Sequence, residues 1–365
     1  MLQGRGITAV LAIVLSAGCS DSNDSRDTPA DTELTPLTSF EEHPCEISIP
    51  AGFSQEDVRC GTLTAPRDRD DPDSETLTVE FGVVLARGPD TAPDPFVYVP
   101  GGPGDPALEA FFALDALDLL KQVNQARDLV YFDPRGTGIS TPDLSCPERL
   151  GNANDAVLQP GGGQEDGAAR LAGLRTCNER LLAVGNNLSG YHSASIATDL
   201  VEGLRALGYE QANYWGPSYG GRVVQTLMRD YPEMTRSVIL DAPAMPEIRT
   251  TEASNFQLSL NRLVEECAAA PLCSELYPDL ETKFYTAVDN LNMDPAAVDI
   301  QFEGSTETVF VSGDRFVLGL QNAFNSNSLL PLIPVAIDNV AAGDLAIVQA
   351  VAPDLLTAFE SISWG

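Results

Sequence analysis

The segment Tyr214-Trp215-Gly216-Pro217-Ser218-Tyr219-Gly220-Gly221 constrains the fold more than any other part of the chain. A short apolar run leads into it. Val223, Val224, Leu227 and Met228 leave it at helical spacing, and Tyr231-Pro232 closes that helix. A strand that becomes a helix across so few residues has to bend sharply, and Ser218 sits at the bend. Gly216 and Gly220 have no Cβ, which lets neighbouring backbone close in on the turn. The N-terminus of the outgoing helix points at the serine, where its dipole favours developing negative charge.

The flanking sequence repeats this rhythm. Leu77, Val79, Phe81 and Val83 alternate with Thr78, Glu80 and Gly82, the pattern of a half-buried strand. Residues 96–99 and 129–132 are short apolar runs, each stopped by a Gly- and Pro-containing cluster. Ile196, Leu200, Leu204 and Leu207 recur at helical spacing, with Ser195 placed to cap the start and Gly208 to end the helix. Residues 237–240 read as a further buried strand. Strands alternating with helices predict an α/β fold with a mostly parallel sheet covered on both faces. Beyond Glu247 helical patterns dominate, over 258–270, 276–291, 316–324 and 329–342, with one strand-like stretch at 309–311. This texture predicts a helical cap or lid.

Composition bounds the partners and the compartment. The net charge is −32, with only 21 Lys and Arg, which excludes a nucleic-acid partner because phosphate binding needs clustered cations. Arg5 followed by an apolar stretch at 7–18 reads as an export signal, too short to span a bilayer. It ends in Leu15-Ser16-Ala17-Gly18-Cys19, which resembles a bacterial lipobox. Lipidation of Cys19 is therefore expected, with a lipid anchor as the only membrane contact and a periplasmic or cell-surface location. An ordinary secretory signal cut near Ala17 is the alternative. Six further cysteines, an even number in an exported chain, read as disulfides, and proximity suggests Cys45–Cys60, Cys146–Cys177 and Cys267–Cys273. No C-x-x-C pair exists and only two histidines are present, so zinc is a poor rival. The expected organisation is signal 1–18, disordered tether 19–40, α/β core 41–246 and cap 247–365.

The chemistry centres on Ser218 as candidate nucleophile in a G-x-S-x-G elbow. Pro100-Gly101-Gly102-Pro103-Gly104 follows the 96–99 strand, where a Gly-rich loop would supply one oxyanion donor. The amides expected to hold an oxyanion are those of Gly102 (or Gly101) and Tyr219. Asp133-Pro134-Arg135-Gly136-Thr137-Gly138-Ile139-Ser140 ends another strand, and an Asp133–Arg135 pair is expected to brace the loops beside the site.

Taken together, G-G-P-G at 101–104, D-x-R-G-x-G-x-S at 133–140 and G-x-S-Y-G-G at 216–221 resemble the prolyl aminopeptidases and the related tripeptidyl aminopeptidases. Pro100 looks more like the tripeptidyl branch. The resemblance runs from about Cys45 through the rest of the chain. It implies the α/β-hydrolase fold and serine exopeptidase action on the free N-termini of peptides, with no metal or organic cofactor.

The resemblance fails at the base and the acid. In that fold the chain order is Ser, then Asp or Glu, then His, yet the two histidines, His43 and His192, both precede Ser218. The sequence stops at Ser363-Trp364-Gly365, inside the expected cap, so two sheet strands and both remaining triad members are expected to be missing from it. His192 is a weak substitute base, and Asp241 an acid with no histidine to orient. Glu265 and Glu266 in the cap are candidates for binding a substrate ammonium group, though such residues are more often solvated. Two other readings stay open: an esterase or lipase acting on small esters, and a catalytically inactive surface lipoprotein. Mass spectrometry of the mature N-terminus should find acyl chains on Cys19; an unmodified cysteine contradicts the anchor.

Overall fold

Seven strands build the central sheet: β1 (Ser39–His43), β2 (Val58–Pro66), β3 (Thr76–Val84), β4 (Phe96–Tyr98), β5 (Leu129–Asp133), β6 (Ala212–Pro217) and β7 (Thr235–Asp241), in the spatial order β1-β2-β3-β5-β4-β6-β7. The computed structural model describes residues 38–47, 49, 53–71, 73–108, 118–245, 252–302 and 304–351. The signal, Cys19 and most of the expected tether lie outside them. The pairs β1–β2, β2–β3 and β3–β5 are antiparallel, whereas β5–β4, β4–β6 and β6–β7 are parallel. Strands β2, β4, β5, β6 and β7 therefore run one way and only β1 and β3 run the other. The helices of this half are α1 (Asp118–Val123), α2 (Pro147–Val157), α3 (Gly163–Ala183), α4 (Ser193–Ala206) and α5 (Tyr219–Asp230).

The alternation in β3 has the expected result. Leu77, Val79, Phe81 and Val83 are buried and pack with Val97, Val130 and Phe132 against Ile196, Leu200 and Leu204 of α4 and Val223, Val224 and Leu227 of α5. Helix α4 lies so close to the sheet that a Cβ on Gly203 would meet the Phe81 ring at 2.2 Å. This helix begins earlier than the expected Ser195 cap. His192 is the cap, its Nδ1 accepting from the Ser195 amide at 3.3 Å, and Ser195 is buried inside the first turn. Gly208, at φ 94°, follows the last turn in a backbone conformation that suits glycine.

Two further expectations need correction. Strand β1 starts at Ser39, within the stretch read as tether, because Phe40 packs edge-on against Phe81 with ring centroids 6.0 Å apart. Strand β7 is not buried: Ile239 is 51 % and Leu240 38 % exposed. It pairs with β6 alone among the described residues, which makes it an edge.

Beyond β7 the chain is mostly helical: α6 (Glu252–Ala269), α7 (Pro271–Leu276), α8 (Leu280–Met293), α9 (Gly313–Phe324), α10 (Ile333–Ala341) and α11 (Ala346–Val351), with a hairpin of β8 (Ala296–Phe302) and β9 (Ser305–Val311). The strand-like stretch 309–311 is thus half of a hairpin. This region has its own core of Leu260, Phe284, Leu291, Val309, Val311, Phe316, Leu320 and Ile337, which also takes in Val157 of α2. Arg315, 3 % exposed, reaches from α9 to the Asp166 carboxylate (2.6 and 2.9 Å) and to the carbonyls of Ala156 (2.8 Å) and Gln159 (3.1 Å). The cap is therefore tied to α2 and α3 by buried charge as well as by apolar contact. Disulfides join Cys45 to Cys60, Cys146 to Cys177 and Cys267 to Cys273. Among the described residues no helix is long and apolar enough to cross a membrane.

The Asp133–Arg135 pair expected from the sequence does not form; each residue has its own partners. Arg135 is fully buried and donates from Nε and Nη2 to the two oxygens of Asp199, both at 2.6 Å, and from Nη1 to the carbonyls of Arg67 (2.9 Å) and Gly190 (2.8 Å). Arg69 also bonds Asp199 and reaches Glu202 at 2.7 Å. This network ties the β2–β3 connection to α4. Removing one partner of a buried pair strands the other charge, so Asp199→Ala should cost about 3–5 kcal/mol in urea unfolding. A loss below about 1 kcal/mol, the usual worth of an exposed pair, contradicts this role for the network.

Candidate active site

Strand β6 delivers Ser218 to the turn, and α5 starts at the next residue. Ser218 has φ 49° and ψ −119°, a backbone conformation that costs a non-glycine residue about 1–3 kcal/mol and persists only when its surroundings enforce it. They do so through three hydrogen bonds. The Ser218 amide donates to the Asp241 carbonyl at 2.9 Å, and its own carbonyl accepts from Ala244 (2.8 Å) and Gly221 (3.1 Å). The glycines are required by contact. A Cβ on Gly216 would meet the Gly220 carbonyl carbon at 2.7 Å, and one on Gly220 would meet the Val99 carbonyl oxygen at 2.0 Å. Ser218 itself is exposed.

The 100–104 loop lies against this turn. A Cβ built on Gly101 would sit 3.5 Å from Ser218 Cβ and 3.6 Å from Asp105 Oδ2. Gly102 and Gly104 have φ of 93° and 104°, open to glycine and strained for other residues. Among the described residues no acceptor takes the amides of Gly101, Gly102 or Tyr219, the three singled out from the sequence as oxyanion donors. The Tyr219 amide belongs to the first turn of α5, where helices leave N–H groups without internal partners. The Tyr219 hydroxyl is 2.9 Å from Ser193 Oγ.

Asp133 anchors the far end of the same loop. Its Oδ1 accepts from the amides of Ala107 (2.7 Å) and Leu108 (2.8 Å), and its Oδ2 accepts from Ile139 (2.9 Å). A carboxylate at the end of β5 thus clamps the segment that leaves the glycine loop. The sequence singled out Asp133 but paired it wrongly, because backbone partners leave no mark in side-chain chemistry. Asp105 was not singled out at all.

Among the described residues none of the other candidate side chains bonds to Ser218. His192 caps α4, and His43 bonds the Pro44 carbonyl (2.9 Å), Thr62 (3.0 Å) and Glu80 (3.3 Å) at the far edge of the sheet. The Pro44 carbonyl raises the His43 pKa against the effect of burial, and Glu80 adds to the rise. Asp241 contributes its carbonyl to the turn, while its carboxylate accepts a 3.4 Å bond from Trp215 Nε1. Glu265 and Glu266 are exposed on α6, and Glu266 is paired with Arg262 at 2.8 Å.

A family model described as alpha/beta hydrolase fold matches residues 94–339, which spans the glycine loop, the serine turn and most of the cap. The chain is 30 % identical over 281 residues to serine protease Hip1 of Mycobacterium tuberculosis, covering 73 % of this chain and 51 % of that protein. It is 29 % identical over 196 residues to a tripeptidyl aminopeptidase of Streptomyces coelicolor (52 % and 36 %), and 27 % identical over 269 residues to carboxylesterase B of M. tuberculosis (70 % and 50 %). The chain spans about half the length of the first of these relatives.

Two glycine substitutions separate packing from chemistry. Gly220→Ala should destabilise the fold by about 1–3 kcal/mol, the usual cost of forcing a methyl group into a filled space. Gly101→Ala makes only ordinary contacts and should leave the midpoint of thermal unfolding within a few degrees of the unaltered protein. Equal stability of the two variants contradicts the close approach at Gly220.

Proposed function

For a chain that belongs to the α/β-hydrolase fold family, we propose the function of an exported serine hydrolase, an aminopeptidase releasing N-terminal residues or short peptides. Ser218 Oγ attacks the scissile carbonyl. The amides of Gly102 (or Gly101) and Tyr219 receive the negative charge that moves onto its oxygen. Collapse of the tetrahedral intermediate expels the amine and leaves an acyl-enzyme that water hydrolyses. The observation that carries this reading is the approach of the glycine loop to the strained serine, with a Gly101 Cβ position 3.5 Å from Ser218 Cβ. The relatives named serine protease and tripeptidyl aminopeptidase support the peptidase class. Three disulfides suit an oxidising compartment and support export; a lipid anchor on Cys19 completes the proposal.

Among the described residues neither histidine bonds to Ser218; the reaction needs a base that takes the Oγ proton and returns it to the leaving amine. The fitting test is labelling by a fluorophosphonate probe. Ser218→Ala should abolish the label, and undiminished labelling of that variant rejects the nucleophile. The carboxylesterase B relative keeps an esterase as second reading. Faster turnover of p-nitrophenyl esters with no cleavage of aminoacyl p-nitroanilides would favour it.

A further inference from the structure

We propose that the Asp105 carboxylate receives the free α-ammonium group of the substrate and so makes the site selective for unblocked N-termini. This deepens the serine-hydrolase reading above and rests on it.

Position comes first. One point lies 3.5 Å from Ser218 Cβ and 3.6 Å from Asp105 Oδ2, so these two atoms are at most about 7 Å apart. Backbone geometry puts an α-nitrogen about 2.5 Å from the carbonyl carbon of its own residue, and an ammonium–carboxylate hydrogen bond adds about 2.8 Å. An amino-terminal residue whose carbonyl meets Ser218 Oγ therefore spans the gap. In an extended tripeptidyl substrate the ammonium lies two residues further on, about 7 Å away, so the span suits release of a single residue.

The second observation is the lack of a partner. Among the described residues the buried carboxylates are satisfied: Asp94 by Arg127, Arg236 and Asn213, Asp133 by three amides, and Asp199 by Arg135 and Arg69. Asp105 is half-buried, yet among the described residues no cation or hydrogen-bond donor reaches it. The sequence from 106 to 120 contains no Lys, Arg or His. Burial pushes the Asp105 carboxyl up, as it does for a charge without compensation. An arriving ammonium supplies that compensation.

The third observation is the surrounding. Tyr98, at the end of β4, has its hydroxyl pKa raised by burial and further by the charge of Asp105. Its ring lies 5.3 Å from that of Trp215 and 6.2 Å from that of Tyr131. Aromatic rings at the ends of the two strands that lead into the glycine loop and the serine turn favour a cation over a neutral group.

The test is binding, so that it does not depend on turnover. Alaninamide and N-acetylalaninamide are titrated by NMR into the full-length protein carrying Ser218→Ala. The free amine should bind about tenfold more tightly or better, the worth of one hydrogen bond to a charged group. Adding Asp105→Asn should erase that preference, whereas Asp105→Glu, which keeps the charge, should retain it. A preference that survives Asp105→Asn overturns the proposal, as does equal binding of the two ligands to the unaltered Asp105 site or loss of the preference in both variants. Thermal unfolding of each variant verifies that a folded protein is being compared. Failure of the hydrolase reading appears separately, as probe labelling that ignores Ser218.

Discussion

The contact between Gly220 and the Val99 carbonyl governs the geometry of the whole site. Because Gly220 carries no side chain, the first turn of α5 settles against the end of β4, and the chain leaving β4 is the glycine loop. One close approach thereby fixes three things at once: the bend that lifts Ser218, the position of the loop amides, and the direction of the helix dipole. Asp133 then holds the loop from its other end, through the amides of Ala107 and Leu108. The serine turn is strained, and the loop is bound at both ends. The site proposed here is thus set before substrate arrives.

Charge is used differently inside and outside the molecule. The chain has 53 acidic residues against 21 Lys and Arg, so cations are scarce, and several are spent in the interior. Arg135 and Arg69 gather around Asp199, Arg127 and Arg236 around Asp94, and Arg315 joins the cap to α3 through Asp166. Burial works against the charge on Asp94, yet the hydrogen bonds from Arg127, Asn213 and Arg236 keep its carboxyl well below the usual carboxylate range. Against that background a half-buried carboxylate that no cation among the described residues reaches, near the proposed nucleophile, stands apart.

Much of this was legible in the sequence where a feature is local. The serine turn, the glycine loop and the helices on either side follow from residue type and spacing, since glycine and proline act through their own backbone. Of the antiparallel half of the sheet only β3 was legible. Val58–Pro66 has charged, polar and small residues mixed through it, and its role as a strand comes from its neighbours. Helices α2 and α3 were missed because their apolar content is low and a disulfide with Arg315 does part of the work of a core. Edge status is also non-local: Ser237, Val238, Ile239 and Leu240 look the same whether or not another strand covers them. His192, read as preceding α4 and only weakly as a base, proves to be the cap of that helix, a role that residue type alone does not announce.

The central claim is that Ser218 and the 101–104 loop form one acyl-transfer site. A crystal structure of the full-length protein after reaction with a fluorophosphonate tests it most directly. The account predicts phosphorus bonded to Ser218 Oγ, with one phosphoryl oxygen about 2.7–3.1 Å from the Tyr219 amide and from that of Gly102 or Gly101. An adduct on another residue, or an oxygen turned to solvent away from those amides, contradicts it.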